Sequence, residues 1–256
     1  MNGNQQELTN KALILHDVLK KYNSSHSSTK KSRFVSGVDF WKKVFRKYGF
    51  EFTERQILKT LISLEDLVDQ LEKDVLSISG ADHQLYLKYI PNIRKIFDFS
   101  KLKNTQDRPK VSGEMFLSLR YTSEVLKISG YEEIKLSNEK IKEISKMAEE
   151  IIARIEESHL PGDLKEIVIS QMRIVKEALD RYEILGGSHL REPLEQLIGK
   201  SYLAAPILKE NQEEEIVKDA SDVVGRFSKV AESAHKYTGY LKSGEYILKL
   251  LGMNQD

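Results

Sequence analysis

The sequence contains no cysteine in its 256 residues. A chain without cysteine has no disulfide framework, no thiolate zinc site, no iron–sulfur ligation and no cysteine nucleophile. Proline is rare, with 5 residues, and long apolar runs are lacking. The longest uncharged apolar stretch in the C-terminal third covers residues 201–208. It is far shorter than the roughly 18–20 residues that a membrane-spanning helix needs.

The sequence also lacks a large excess of basic over acidic residues, or of acidic over basic residues. Lys and Arg number 40 and Asp and Glu 39, which gives a net charge of +1 and excludes a disordered tail of a single charge sign. With 40% hydrophobic residues the chain is able to build a substantial core. Residues 1–9 are polar and lack the basic start of a signal peptide. We therefore predict a cytoplasmic protein with no membrane contact.

Apolar residues along most of the sequence have the spacing of amphipathic helices. Apolar residues recur at three- and four-residue steps after the N-cap candidates Thr53 and Ser137, which predicts helices over 54–75 and 139–157. The fold class predicted is all-α, a multi-helix bundle of nine or ten helices in one or two lobes. The same reasoning predicts a serine-rich loop over 23–32 and leaves 112–128 open between helix and strand. Further helices are predicted over 7–22, 39–48, 82–99 (split at Pro91), 161–185, 188–198, 210–240 and 243–251.

The polar segment 101–110 is the candidate boundary between the two lobes. It predicts a basic N-terminal lobe of residues 1–105 and an acidic C-terminal lobe of residues 106–256. A single continuous domain agrees equally well with the sequence. Residues 1–110 carry 20 basic and 13 acidic side chains, and residues 111–256 carry 20 and 26. Such halves could attract each other within a molecule, pair head-to-tail between molecules, or leave the basic half for an acidic partner.

A basic segment lies between residues 20 and 48, where nine Lys and Arg accompany one acid and several aromatic residues. Lys and Arg neutralise phosphates, and an exposed ring stacks on a base, which suggests contact with nucleic acid. The aromatic residues, however, have the spacing of core positions, so a solvated helix face is the competing interpretation. The candidate binding residues are Lys30, Lys31, Arg33, Lys42, Lys43, Arg46 and Lys47.

Motifs for metals and cofactors are missing. The six histidines are far apart, none pairs at i,i+4, and no H-E-x-x-H occurs. Phosphate-binding glycine loops and the G-x-S-x-G elbow are missing too. We predict no metal site and no cofactor.

One short motif resembles a catalytic one. Arg154 and His159 match R-x4-H, which is similar to the motif of HEPN ribonucleases, helical proteins that act on RNA at a dimer groove. The resemblance implies His159 as a general acid or base and Arg154 as the group that stabilises charge on phosphorus. With 11 Arg, 6 His and the three spacings that the R-x4–6-H motif allows, chance alone predicts about 0.8 matches in the chain. The competing interpretation places Arg154 on a solvated helix face and His159 in the turn after it.

Residues 160–199 resemble a C-terminal segment that recurs in uncharacterised bacterial proteins. The matching positions are Leu160, Pro161, Arg181, Tyr182, Gly186 or Gly187, Leu190, Leu194 and Gly199. The resemblance implies a bacterial, often mobile-element or defence-island, setting and no particular reaction. Proline is common in the first turn of a helix and glycine just after its last turn, so these residues indicate where helices begin and end. We therefore expect this segment to be a helix-turn-helix packing unit.

These observations favour a non-enzymatic function. We expect a helical protein–protein interaction module or accessory subunit, in a defence or mobile-element system, whose partner is another protein or a second copy. The alternative is a helical protein that contacts nucleic acid through its basic N-terminal face, most specifically a HEPN-like ribonuclease.

Overall fold

A computed structural model of the chain describes residues 7–27, 36–102, 108–212 and 214–234. These residues confirm the all-α prediction. They form two short strands, β1 (Leu8–Thr9) and β2 (Glu133–Ile134), and ten α-helices. The helices are α1 (Lys11–Ser27), α2 (Gly37–Arg46), α3 (Glu54–Ser77), α4 (His83–Leu87), α5 (Ile90–Phe97), α6 (Gly113–Ile128), α7 (Asn138–Glu157), α8 (Gly162–Leu185), α9 (Arg191–Glu210) and α10 (Glu215–Ala234).

Local capping chemistry sets several helix starts. The Thr53 side chain accepts the N–H of Gln56, while the Gln56 side chain accepts the Thr53 N–H, so that α3 begins with a reciprocal capping box. Ser137 caps α7 in the predicted way. Ser112 caps α6, which settles residues 112–128 as helix. Pro91 lies in the first turn of α5 and separates it from α4, as predicted.

The first helix differs from its prediction at both ends. It begins at Lys11 rather than Glu7, because the Asn10 side chain accepts the N–H of Leu13 and acts as the N-cap. It continues to Ser27, so the first five residues of the predicted 23–32 loop are helical. The Ser25 hydroxyl donates to the Lys21 carbonyl at 2.8 Å, which satisfies this polar side chain within the helix. Residues 28–32 lie outside the described residues.

The prediction that a helix ends at Ile198 was wrong. Helix α9 passes Gly199 and Pro206 and ends at Glu210. Its buried residues, Leu194, Leu197, Ser201, Ala204 and Leu208, recur at helical steps across both positions. Packing of this stripe therefore outweighs the weak helix propensity of the two residues. The helix predicted over 210–240 begins at Glu215 instead of Glu210. Its predicted part beyond Ala234 lies outside the described residues, as does the helix predicted over 243–251.

The chain divides into two compact units. The basic unit comprises residues 9–132 with 184–186, and the acidic unit comprises residues 1–8, 133–183 and 187–256. The division at 132/133 differs from the predicted boundary at 105/106, which falls among residues that the structure does not describe. The basic unit has 22 basic and 15 acidic side chains and the acidic unit 18 and 24, or +7 and −6.

The core of the basic unit lies between α1, α2, α3, α5 and α6. Helix α3 occupies its centre and contributes Leu61, Leu64 and Val68, all fully buried. Aromatic rings fill the space between α2 and its neighbours, with centroids 5.1–6.0 Å apart in the pairs Tyr22–Phe40, Trp41–Phe45 and Trp41–Phe97. These distances are typical of packed aromatic pairs.

The core of the acidic unit lies between α7, α8, α9 and α10. Helix α10 contributes a long buried stripe that includes Val223, Phe227 and Val230. Ion pairs join α10 to α7, where Arg226 lies 3.2 Å from Glu143. The short β1–β2 ladder, which the sequence did not predict, continues at its edge into a bond from the Lys135 N–H to the Glu7 carbonyl at 2.8 Å.

Candidate interaction surfaces

The basic face predicted from the sequence is only partly described. Lys30, Lys31 and Arg33 lie outside the described residues. The other four candidates, Lys42, Lys43, Arg46 and Lys47, lie on α2 and at its C-cap. The rings between them, Phe40, Trp41 and Phe45, are buried in the core of the basic unit and do not offer a face to a base. The aromatic residues of α2 are therefore core residues, as their helical spacing indicated.

Three of these four side chains already have partners within the chain. Arg46 donates two hydrogen bonds to Glu51, at 2.8 and 3.0 Å. The Lys47 ammonium donates to the Ser24 hydroxyl at 2.6 Å, and the Lys42 ammonium lies 3.9 Å from Asp39. Lys43 is exposed and has no ion-pair partner among the described residues.

The two residues of the R-x4-H match have different surroundings. Arg154, in the last turn of α7, donates to Asp219 at 2.5 Å and lies 3.5 Å from Glu215, both on α10. The hydrogen bond from Arg154 to Asp219 raises the pKa of the guanidinium, which stays charged and engaged. His159 is exposed in the loop after α7. The negative charges of Asp219 and Glu215 oppose the approach of a phosphate to Arg154.

Among the described residues of the acidic unit, the most exposed apolar surface lies on α9. Leu203 is 80% exposed and Tyr202 is 59% exposed. Gly199 and Pro206 are one turn before and after them and are also exposed. On an α-helix these residues lie about half a turn from the buried stripe of α9, so they form a continuous ridge. We call Gly199, Tyr202, Leu203 and Pro206 the α9 face.

Acidic side chains extend the α9 face toward both helix ends. Glu192, Glu195 and Glu210 are exposed and lie on the same side of the helix. Glu195 is paired with Arg191 at 2.9 Å, and Glu192 accepts a hydrogen bond from Gln196. Lys200, at the margin, donates to the Ser170 hydroxyl. The face is thus apolar at its centre, with glutamates toward both ends and the cations Arg191, Lys200 and Lys209 at its margins.

A second apolar ridge lies on α6 in the basic unit. Ile128 is 85% exposed and Tyr121 is 61% exposed, and Leu117 is exposed one turn earlier. These residues lie about half a turn from the buried stripe Met115, Leu119, Thr122 and Leu126. We call Leu117, Tyr121 and Ile128 the α6 face; Glu124 lies on it as well.

Three cations flank the α6 face. Lys20, Arg120 and Lys127 are exposed and have no ion-pair partner among the described residues. His16 of α1 packs edge-on against Phe116 of α6. Burial lowers the pKa of His16, and the positive charges of Arg120 and Lys20 lower it further.

Sequence reasoning missed both faces, although a signal was present. In each helix the buried residues form one stripe, and Leu203 or Ile128 lies out of phase with it. A large apolar residue on the side opposite the core stripe is the pattern expected of a contact surface.

The segment 160–199 has mainly packing roles. The Tyr182 hydroxyl accepts the Leu136 N–H at 2.7 Å, and Leu190 and Leu194 are buried. Arg181 donates to the Glu177 carbonyl. Where the chain turns from α8 toward α9, the Glu133 carboxylate accepts the N–H groups of Gly187 and Ser188 at 2.9 and 3.1 Å. The Ser188 hydroxyl and His189 Nε2 are buried without a hydrogen-bond partner in the described part of the chain.

Within the described ranges, no three His, Asp or Glu side chains come close enough to hold a metal ion. No helix in those ranges combines the length and the apolarity needed to cross a bilayer. Comparison of the chain with protein-family models, with curated proteins and with solved structures finds no match.

Proposed function

We propose that this protein is a non-enzymatic interaction module or accessory subunit that binds a protein partner through the α9 face. The observation that carries the proposal is the exposure of Leu203 and Tyr202 on the side of α9 opposite its core stripe. We also propose a bacterial defence or mobile-element setting, which the resemblance of residues 160–199 implies.

The chemistry of the α9 face suits a partner helix or loop. Covering a side chain the size of Leu203 contributes about 1.5–3 kcal/mol, and exposed tyrosines are frequent binding hot spots. Space above Gly199 is open, so a partner backbone has room to approach there. Pro206 has no N–H, so the Tyr202 carbonyl lacks its intrahelical donor and stays ready to accept a hydrogen bond.

Co-purification from the native host tests this proposal. The tagged chain, its Leu203→Asp variant and a matched Leu76→Asp variant are compared by quantitative mass spectrometry. Leu76 is an exposed apolar residue of α3, outside the α9 face. We expect at least one protein to be lost with Leu203→Asp and retained with Leu76→Asp. Identical sets for all three chains would contradict the proposal.

Contact with nucleic acid through α2 is the second candidate, favoured by the unpaired charge of Lys43. It predicts that labelled RNA or DNA binds at low salt and that Lys43→Glu with Lys47→Glu weakens this binding. Lack of binding at low salt would remove this candidate. Cleavage that survives both Arg154→Ala and His159→Ala would remove its ribonuclease form.

A further inference from the structure

We infer that the occupant of the α9 face is the α6 face of a second copy of this chain, so that the protein associates head-to-tail. This inference rests on the proposed function and names the partner. The α9 face belongs to the acidic unit and the α6 face to the basic unit. The contact joins two different surfaces on two molecules, which makes it heterologous.

The two faces match in apolar character and size. Ile128 and Leu203 are the most exposed of the large apolar side chains in the described residues, at 85% and 80%. Each has an exposed tyrosine nearby on its own helix, Tyr121 on α6 and Tyr202 on α9. Each ridge spans two to three turns of a regular helix, which allows one helix to lie against the other.

The flanking charges decide between a second α9 face and an α6 face as the occupant. The α9 face carries Glu192, Glu195 and Glu210 in a unit of net charge −6, and this net charge opposes the pairing of two α9 faces. The α6 face is flanked by Lys20, Arg120 and Lys127 in a unit of net charge +7. Opposite fields steer the α9 face of one copy toward the α6 face of another.

A heterologous contact makes a prediction that no two-fold contact shares. After the first contact one copy keeps a free α6 face and the other keeps a free α9 face, so wild-type assemblies grow with concentration. Ile128→Asp removes the α6 face alone, and Leu203→Asp removes the α9 face alone. A mixture of the two variants retains one intact face of each kind and forms a dimer that stops growing.

Sedimentation velocity on the full chain, from about 1 µM to about 200 µM at low salt, tests this inference. We expect wild type to grow beyond dimer, each single variant to associate at least tenfold more weakly, and their equal mixture to reach a dimer and no further. Leu76→Asp is the matched control and should behave as wild type. Circular dichroism checks that each variant is folded, because exposed substitutions leave the fold nearly as stable.

Several results would overturn the inference. A wild-type chain that is monomeric throughout would do so, as would a variant mixture that stays monomeric. A dimer that only Leu203→Asp disrupts would show a two-fold α9 contact instead. If the purified chain is monomeric while host proteins still depend on Leu203 for co-purification, self-association is wrong and the proposed function stands.

Discussion

Gly187 lies where the chain turns toward α9, and a β-carbon there would be 2.6 Å from the β-carbon of Ala234. Because a side chain has no room at that point, we expect Gly187→Ala to lower the free energy of unfolding by about 1–3 kcal/mol. Gly199→Ala is the matched control. Its site is open and helical, so alanine should raise the stability by about 0.5–1 kcal/mol. Urea unfolding of both variants checks the pair, and equal effects would contradict this packing.

His189 predicts an acid-dependent loss of stability. Burial, and after it the positive charge of Arg181, lower the pKa of His189 from 6.5 to about 3. Between these two pH values the unfolded chain binds the proton and the folded chain does not, so the free energy of unfolding falls as the pH decreases. We expect His189→Gln to have a weaker pH dependence in this window.

The control for this prediction is His159→Gln, because His159 is exposed in a loop. Denaturant unfolding at several pH values from 7 to about 3.5 measures the slope for each chain. If His189→Gln and wild type lose stability in parallel, His189 is not the group responsible.

At the scale of the element, the capping box of α3 gives a quantitative prediction. Thr53→Ala removes the acceptor for the Gln56 N–H and should cost about 1 kcal/mol of unfolding free energy, within the range of 0.5–2 seen for such caps. Thr53→Ser keeps the hydroxyl and should retain most of that stability. Thermal unfolding compares them, and an unchanged Thr53→Ala midpoint would contradict the role of this cap.

Element starts were predictable where their chemistry is local. The caps at Thr53 and Ser137 involve residues three positions apart, so the sequence reveals them directly. The cap at Ser112 has the same local chemistry, but the sequence left residues 112–128 open between helix and strand. The end of α9 was not predictable in this way, because Gly199 and Pro206 are typical of helix ends while distant packing keeps the helix intact. The two-residue strands β1 and β2 are too short for any alternation to be recognised.

At the scale of the whole molecule, the composition predicted opposed charges, but the unit division depends on long-range contacts. Helix α6 was expected in the acidic lobe, yet it belongs to the basic unit. The Asn10 side chain donates to the Ser123 hydroxyl at 3.0 Å across 113 residues, and such a pairing has no local signal. The same limit hid the α6 face, which is recognised only once the buried side of the helix is known.

The opposed charges predict how association depends on salt. Reversing the flanking charges with Lys20→Glu, Arg120→Glu and Lys127→Glu should weaken self-association at low salt by at least tenfold. A control with Lys43→Glu, Arg55→Glu and Lys95→Glu changes the net charge equally at exposed positions away from the α6 face. Light scattering at about 50 and 500 mM NaCl compares the two, because the higher salt screens the contact. Equal weakening by both sets would show an effect of net charge alone.

The most direct test of the central claim, that the α9 face binds a protein, is photo-crosslinking in the native host. The photoreactive residue p-benzoylphenylalanine replaces Tyr202, and in a control chain it replaces exposed Lys146 of α7. The account predicts a discrete adduct from position 202 that is missing from position 146 and disappears when Leu203→Asp is added. Its mass identifies a second copy or another protein. Equal adducts from both positions, or none from position 202, would contradict the account.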